Sequence, residues 1–195
     1  MANKAMTDYL DKIRYQESKY LTKDIQSFLT EWQLRDNDKT QTTSDTNLPK
    51  VTIYTDGGCK PNPGTGAYAC VCIDEQSEKY KTFKCNSPYY NTTNSRMELC
   101  AIILGLISLK VPCEVTIKSD SQYVVNSFTK GWVYSWEKNN WKKASGEKAK
   151  HIDLFNFILH LMEIHKVNFV WCRGHNGNLY NELCDQMCTS VISGS

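Results

Sequence analysis

Apolar side chains recur at helical spacing in the first part of the chain and in short β-like runs after it. From Leu10 to Trp32 the positions Leu10, Ile13, Tyr20, Leu21, Ile25, Phe28, Leu29 and Trp32 form one stripe, interrupted by Glu17 and Asp24. The spacing predicts one amphipathic helix, or two short ones, within residues 1–35. Residues 36–49 are polar with few anchors and read as a linker ending at Pro49. From Lys50 the period changes. Val51–Thr55 is a β-rich run ending at Asp56-Gly57-Gly58, and Pro61-Asn62-Pro63-Gly64 marks a turn. Tyr68–Ile73 and Lys79–Cys85 predict two further strands, which completes an antiparallel meander. A helix is expected over Ser95–Leu109, a strand over Val115–Lys118, a short helix over Ser121–Phe128 and a long one over Ile152–Ile164. A strand over Val167–Cys172 and a helix from Asn181 close the chain. Helix-linked strands tend to pair in parallel. The expectation is therefore an α/β domain over residues 50–192. Its five-stranded mixed sheet has three antiparallel strands, then two helix-linked parallel strands, and is flanked by helices.

The composition is ordinary for a globular protein: 195 residues, 41% hydrophobic, 23% charged, formal net charge +2. No run of 18 apolar residues predicts a membrane span. Residues Met1–Lys4 lead into no apolar segment, which argues against a secretory signal. Nine cysteines, an odd number, sit mostly inside apolar runs such as Ala69–Cys72 and Leu99–Ala101. There a thiol behaves as a small hydrophobe. Cys70 and Cys72 are too close for the usual zinc pair. Cys184 and Cys188, four apart on one helix face, read as core. The chain is expected to be reduced and intracellular, cytoplasmic with nucleus or organelle left open, and without structural zinc.

Four carboxylates sit at the ends of predicted elements. Asp56 follows the first strand, Glu98 lies in the first turn of the helix after the third, Asp120 follows the fourth, and Asp185 lies early in the last helix. If the first and fourth strands are neighbours, Asp56 and Asp120 emerge side by side, with Glu98 and Asp185 brought over the same edge. Like charges drawn together repel and rise in pKa unless a cation neutralises them. Such oxygen-rich clusters suit Mg²⁺ or Mn²⁺, and two ions about 4 Å apart suit phosphoryl transfer. Each residue also has a plain structural reading. Ser95-Arg-Met-Glu98 fits a capping box, Asp120 a helix N-cap, Asp56-Gly57 a turn, and Asp185 a partner for the helix dipole. His175 stands in a Gly- and Asn-rich loop, Arg173–Asn178, where an imidazole can serve proton transfer or product release, or simply face water.

Four segments resemble the motifs of type 1 ribonuclease H, in matching order and spacing. They are Tyr54–Gly64 (YTDGGCKPNPG), Thr92–Glu98 (TTNSRME), Ser119–Tyr123 (SDSQY), and Arg173–His175 (RGH) followed by Asn181–Asp185 (NELCD). The resemblance covers about residues 50–190. It implies the ribonuclease H-like fold and cleavage of the RNA strand of an RNA–DNA hybrid, leaving 5′-phosphate and 3′-hydroxyl ends. It implies two Mg²⁺ ions (Mn²⁺ as the alternative) held by Asp56, Glu98, Asp120 and Asp185, with His175 as catalytic helper. It places Cys59, Asn62, Asn94, Ser95, Met97 and Gln122 along the 2′-hydroxyl side of the hybrid. Ser95 stands where many relatives carry a second Asn.

Residues 130–150 hold six Lys and two Glu, a local charge of +4, with Trp132, Trp136 and Trp141 interleaved. Lys beside aromatic side chains suits a duplex-gripping arm, because phosphate contacts give affinity without reading bases. The stretch resembles the family's basic protrusion. Trp132 and Trp136 are expected to flank the DNA strand, with Lys138, Lys142 and Lys143 on its phosphates. Thr93, Arg96 and Ser135 are expected around one DNA phosphate, and Trp141 as a core anchor. The first fifty residues carry eight basic and eight acidic side chains, and residues 1–49 do not resemble the hybrid-binding domain of many eukaryotic members. Their apolar stripe needs a surface: its own domain, a second copy or another protein. The core is expected to be a monomer, and removal of residues 1–45 to preserve the chemistry.

Overall fold

An 11-residue strand, β1 (Lys50–Lys60), runs through the middle of a mixed sheet. It pairs antiparallel with β2 (Gly64–Asp74) on one side and parallel with β5 (Glu114–Ser119) on the other. β3 (Tyr80–Lys84) extends the antiparallel side and β6 (Lys166–Trp171) the parallel side, giving the order β3-β2-β1-β5-β6. These assignments come from a computed structural model that describes residues 48–174 and 177–194, with Lys23, Gln26, Ser27, Phe28 and Thr30 before them. Val51 to Thr55 of β1 is buried throughout rather than in alternation, because helices cover the strand on both faces.

Two features differ from the expectation. A sixth strand, β4 (Tyr89–Thr92), pairs with β2 through Gly64 and Gly66. Four residues are too few to show a period in the sequence. β1 also does not stop at Asp56-Gly57-Gly58; the ladder with β2 continues through Asp56↔Ala69 to Lys60↔Thr65. The glycines are part of the strand, and the turn begins after them.

α1 (Asn94–Ile107) lies across β1 and β2 and is buried at every position from Met97 to Ile107. α4 (Ile152–Ile164) packs on its outer side. Their shared core includes Ile53, Leu99, Ile102, Val115, Ile117, Phe155 and Phe157. Each buried aliphatic or aromatic side chain contributes about 1.5–3 kcal/mol of transfer free energy. α2 (Gln122–Thr129) and α3 (Trp132–Lys138) follow β5, and Phe128 stacks on Phe169 of β6 with ring centroids 4.1 Å apart. α5 (Leu179–Ser193) covers the opposite face, where Cys184 packs with Tyr54 and Val71. The helical residue Phe28 is 1% exposed, its ring 6.0 Å from Tyr68 and 6.4 Å from Phe157. The rest of the N-terminal stripe lies outside the described residues.

Candidate active site

The parallel register pairs Tyr54 of β1 with Lys118 of β5. Two residues further along stand Asp56, still within β1, and Asp120, just past the end of β5. Glu98 arrives from α1, whose start is fixed by Thr93: its side chain accepts the Arg96 N–H at 3.3 Å. Such a cap contributes about 1 kcal/mol. With Thr93 as cap, Glu98 lies beyond the first turn and is not the partner of Ser95 in a capping box. Asp120 is no cap either, since that place at α2 belongs to Ser121.

Single carboxylate oxygens of Asp56, Glu98 and Asp120 all lie within 4.8 Å of one another. Glu98 is buried, takes a hydrogen bond from Ser119, and leaves Oε2 with no hydrogen-bond partner. Burial, then the charges of Asp56 and Asp120, push its carboxyl well above the usual range. A divalent cation at the centre answers each of these conditions: it supplies the missing partner, cancels the repulsion and prefers an all-oxygen donor set. The three residues fit such an ion. Asp185 is half-buried in the second turn of α5 and does not join the trio at that spacing. Its helix is nonetheless held over the site. The Cys184 and Cys188 thiols each donate at 3.5 Å, to the carbonyls of Tyr54 and Asp56. His175 lies outside the described residues.

Beside the acidic trio, three expected contacts form one network. The Cys59 N–H donates to Asn94 Oδ1 at 2.7 Å, while Asn62 Oδ1 accepts from the Asn94 N–H and the Cys59 thiol, each at 3.3 Å. Both amide oxygens are thus engaged inside the protein, which turns the two NH₂ groups into the remaining donors. Gln122 is exposed at the start of α2 and Ser95 is half-buried, whereas Met97 is fully buried, its carbonyl packed against Gly57 of β1, so the expected contact through Met97 has no open surface.

On the basic arm the tryptophans divide. Trp132 is exposed, with Lys130 Nζ 5.6 Å from its ring centre, whereas Trp136 is buried edge-on to Phe155 at 5.7 Å. Trp136 backs Trp132, at 6.4 Å, and offers little surface of its own. Trp141 is buried, as an anchor should be. Lys138 and Lys142 are exposed, and Lys143 reaches Glu147 at 3.7 Å. Ser135 is exposed on α3.

Several residues carry no signal in the sequence. Asp153 grips the Arg96 guanidinium through both carboxylate oxygens, at 3.2 and 2.6 Å. This two-pronged pair fixes a cation that would otherwise swing freely. His151, in left-handed conformation before α4, has its pKa lowered first by burial and then by the Arg96 charge. Gly57 and Gly174 lie within the recognised motifs, but only the structure shows Gly57 against the Glu98 backbone and Gly174 against the Asp120 carboxylate. Trp171, outside any motif, donates its indole N–H to the Asp120 carbonyl.

The ribonuclease H family model matches residues 48–193, three quarters of the chain and all of the sheet and its helices. The chain belongs to the type 1 ribonuclease H family. It is 43% identical over 146 residues to the ribonuclease H of Thermoanaerobacter sp. (strain X514), covering 75% of this chain and 92% of that protein. With the ribonuclease HI of Haemophilus influenzae it shares 44% over 141 residues, 72% of this chain and 88% of the relative. Among solved structures, LC9-RNase H1, a type 1 enzyme with the type 2 active-site motif, superposes with a TM-score of 0.66 at 25% identity. The match covers 77% of this chain and 75% of that one. LC11-RNase H1 in complex with an RNA/DNA hybrid shares the fold at a TM-score of 0.57 and 24% identity, over 74% and 97% of the two chains. As a family member the chain is a nucleic-acid hydrolase with ribonuclease H activity, and its acidic trio is a candidate metal-binding cluster. No helix among the described residues is long and apolar enough to cross a membrane.

Proposed function

We propose that this chain cuts the RNA strand of RNA–DNA hybrids endonucleolytically, leaving 5′-phosphate and 3′-hydroxyl ends. The observation that carries the reading is the unpartnered Glu98 Oε2, buried between Asp56 and Asp120. Asp56, Glu98 and Asp120, with Asp185 from α5, are the residues that hold the two divalent ions, Mg²⁺ or Mn²⁺. Bound there, the ions supply an activated water for in-line attack and neutralise the 3′-oxygen as it leaves. His175, in the sequence after β6, assists proton transfer or release of the 5′-phosphate.

Substrate choice follows from the donors beside the acidic trio. The Asn62 and Asn94 NH₂ groups, oriented by the Cys59 network, suit 2′-hydroxyl oxygens, which only an RNA strand presents. Gln122 and Ser95 extend that side. Trp132, Lys138, Lys142 and Lys143, with Thr93, Arg96 and Ser135, take the DNA strand by its phosphates and sugars. LC11-RNase H1, of the same fold, is seen with an RNA/DNA hybrid. The catalytic unit spans residues 50–192, acts in the intracellular space, and acts as a monomer, with residues 1–35 as an appended segment.

The test is cleavage of matched RNA–DNA, RNA–RNA and DNA–DNA duplexes with and without Mg²⁺. Cleavage confined to the RNA of the hybrid, dependent on Mg²⁺ and lost in Asp56→Asn with hybrid binding retained, is the expected result. Cutting of the DNA duplex would point to another two-metal nuclease of the same fold, and full turnover by Asp56→Asn would remove the metal mechanism.

A further inference from the structure

Asp120 lies in neither a strand nor a helix. β5 ends at Ser119 and α2 begins at Gln122, so regular backbone pairing does not hold this carboxylate in place. Three contacts do. Ser119 Oγ accepts the Ser121 N–H at 3.1 Å, which folds the dipeptide back on the strand end. The Trp171 indole N–H donates to the Asp120 carbonyl at 3.0 Å. The Cα of Gly174 lies so close to the Asp120 carboxylate that a Cβ there would overlap Oδ2.

Two of these contacts come from the end of β6 and the connection that follows it. Trp171 is 45% exposed. Burial of its ring therefore does not explain a tryptophan at the last position of an edge strand; the indole N–H, placed on a catalytic segment, does. Gly174 acts by being small. Its backbone is not in the left-handed region, and the atom an added methyl would strike is the free end of the Asp120 side chain. The backbone accepts alanine there, but the carboxylate must move.

We infer that Trp171 and Gly174 are positioning residues that set the Asp120 carboxylate in the acidic trio, Trp171 from behind through the main chain and Gly174 from the side. Residues oriented this way act on metal affinity through the ligand they hold, and their loss typically costs about 10–100-fold. The inference rests on the reading of Asp56, Glu98 and Asp120 as metal ligands.

The test uses the full chain and Mn²⁺ alone, titrated and followed by electron paramagnetic resonance, with no substrate present. Trp171→Phe keeps an aromatic ring but removes the indole N–H; Gly174→Ala adds the methyl. Each is expected to weaken Mn²⁺ binding by about 10-fold, and to raise the Mg²⁺ needed for half-maximal cleavage in proportion, with KM for a hybrid unchanged. Wild-type Mn²⁺ affinity in Trp171→Phe would overturn the role of the indole. Should that variant unfold, Gly174→Ala decides, and unchanged affinity in it overturns the proposal. A wild-type chain that binds no Mn²⁺ in an Asp56-dependent manner would overturn the metal reading itself, and the positioning role with it.

Discussion

Gly57 and Glu98 meet through backbone alone. A Cβ on Gly57 would overlap the carbonyl of Met97 and the amide of Glu98, so the absence of a side chain lets the first turns of α1 settle on β1. That closeness brings a helix carboxylate within reach of a strand carboxylate. Gly58, the next residue, has open space where its Cβ would be.

Gly57→Ala should therefore push α1 from β1 and displace Glu98, and a shift near 1 Å costs about 100-fold in rate. Gly58→Ala should leave turnover near wild type. Single-turnover cleavage of a labelled hybrid by the two variants measures the contrast; equal rates would show that α1 tolerates the displacement.

Phe28 couples the N-terminal segment to the domain. It fills a site between Tyr68 and Phe157, and Phe28→Ala should cost about 3–5 kcal/mol from lost transfer energy and the cavity left behind. Deletion of residues 1–45 should do the same while sparing the chemistry, because none of the acidic trio lies there. Urea denaturation and cleavage rates on the same samples separate the two effects.

Lys142 and Lys143 should not contribute equally to hybrid binding. Lys142 is exposed, whereas Lys143 is partly covered and has Glu147 nearby. Lys142→Ala should reduce the salt slope of hybrid affinity by about one unit, the signature of a lost phosphate contact. Lys143→Ala should change it less. Binding titrations across a salt series give both slopes.

His165 should make stability depend on pH. Its ring is buried, its Nδ1 accepts the Cys113 N–H at 3.3 Å, and burial lowers its pKa to about 4. The unfolded chain, with an ordinary histidine, binds the proton first. The stabilising contribution is complete above the unfolded value and fades as pH falls toward the folded one. Linkage gives a loss of about 2 kcal/mol between about pH 7 and pH 5. Denaturation of His165→Gln, which can still accept that hydrogen bond, should show a correspondingly flatter profile.

Alternating and helical periods were enough to predict a five-stranded mixed sheet flanked by helices, because burial on one face leaves its period in the sequence; the strand order and the helix over Trp132–Lys138 came from the structure. β4 escaped because four residues carry no period. Glu98, a candidate ligand, also fits a capping box in the sequence because Ser95 stands three places before it; the true cap, Thr93, is distinguished only by its backbone and its bond to the Arg96 N–H. The near approach of β1 to α1 at Gly57, the grip of Asp153 on Arg96 across 57 positions, and the bond from Trp171 to Asp120 across 51 belong to the tertiary structure alone. Local sequence selects residue types and periods, whereas contacts between distant segments exist only once packing has fixed how closely those segments approach.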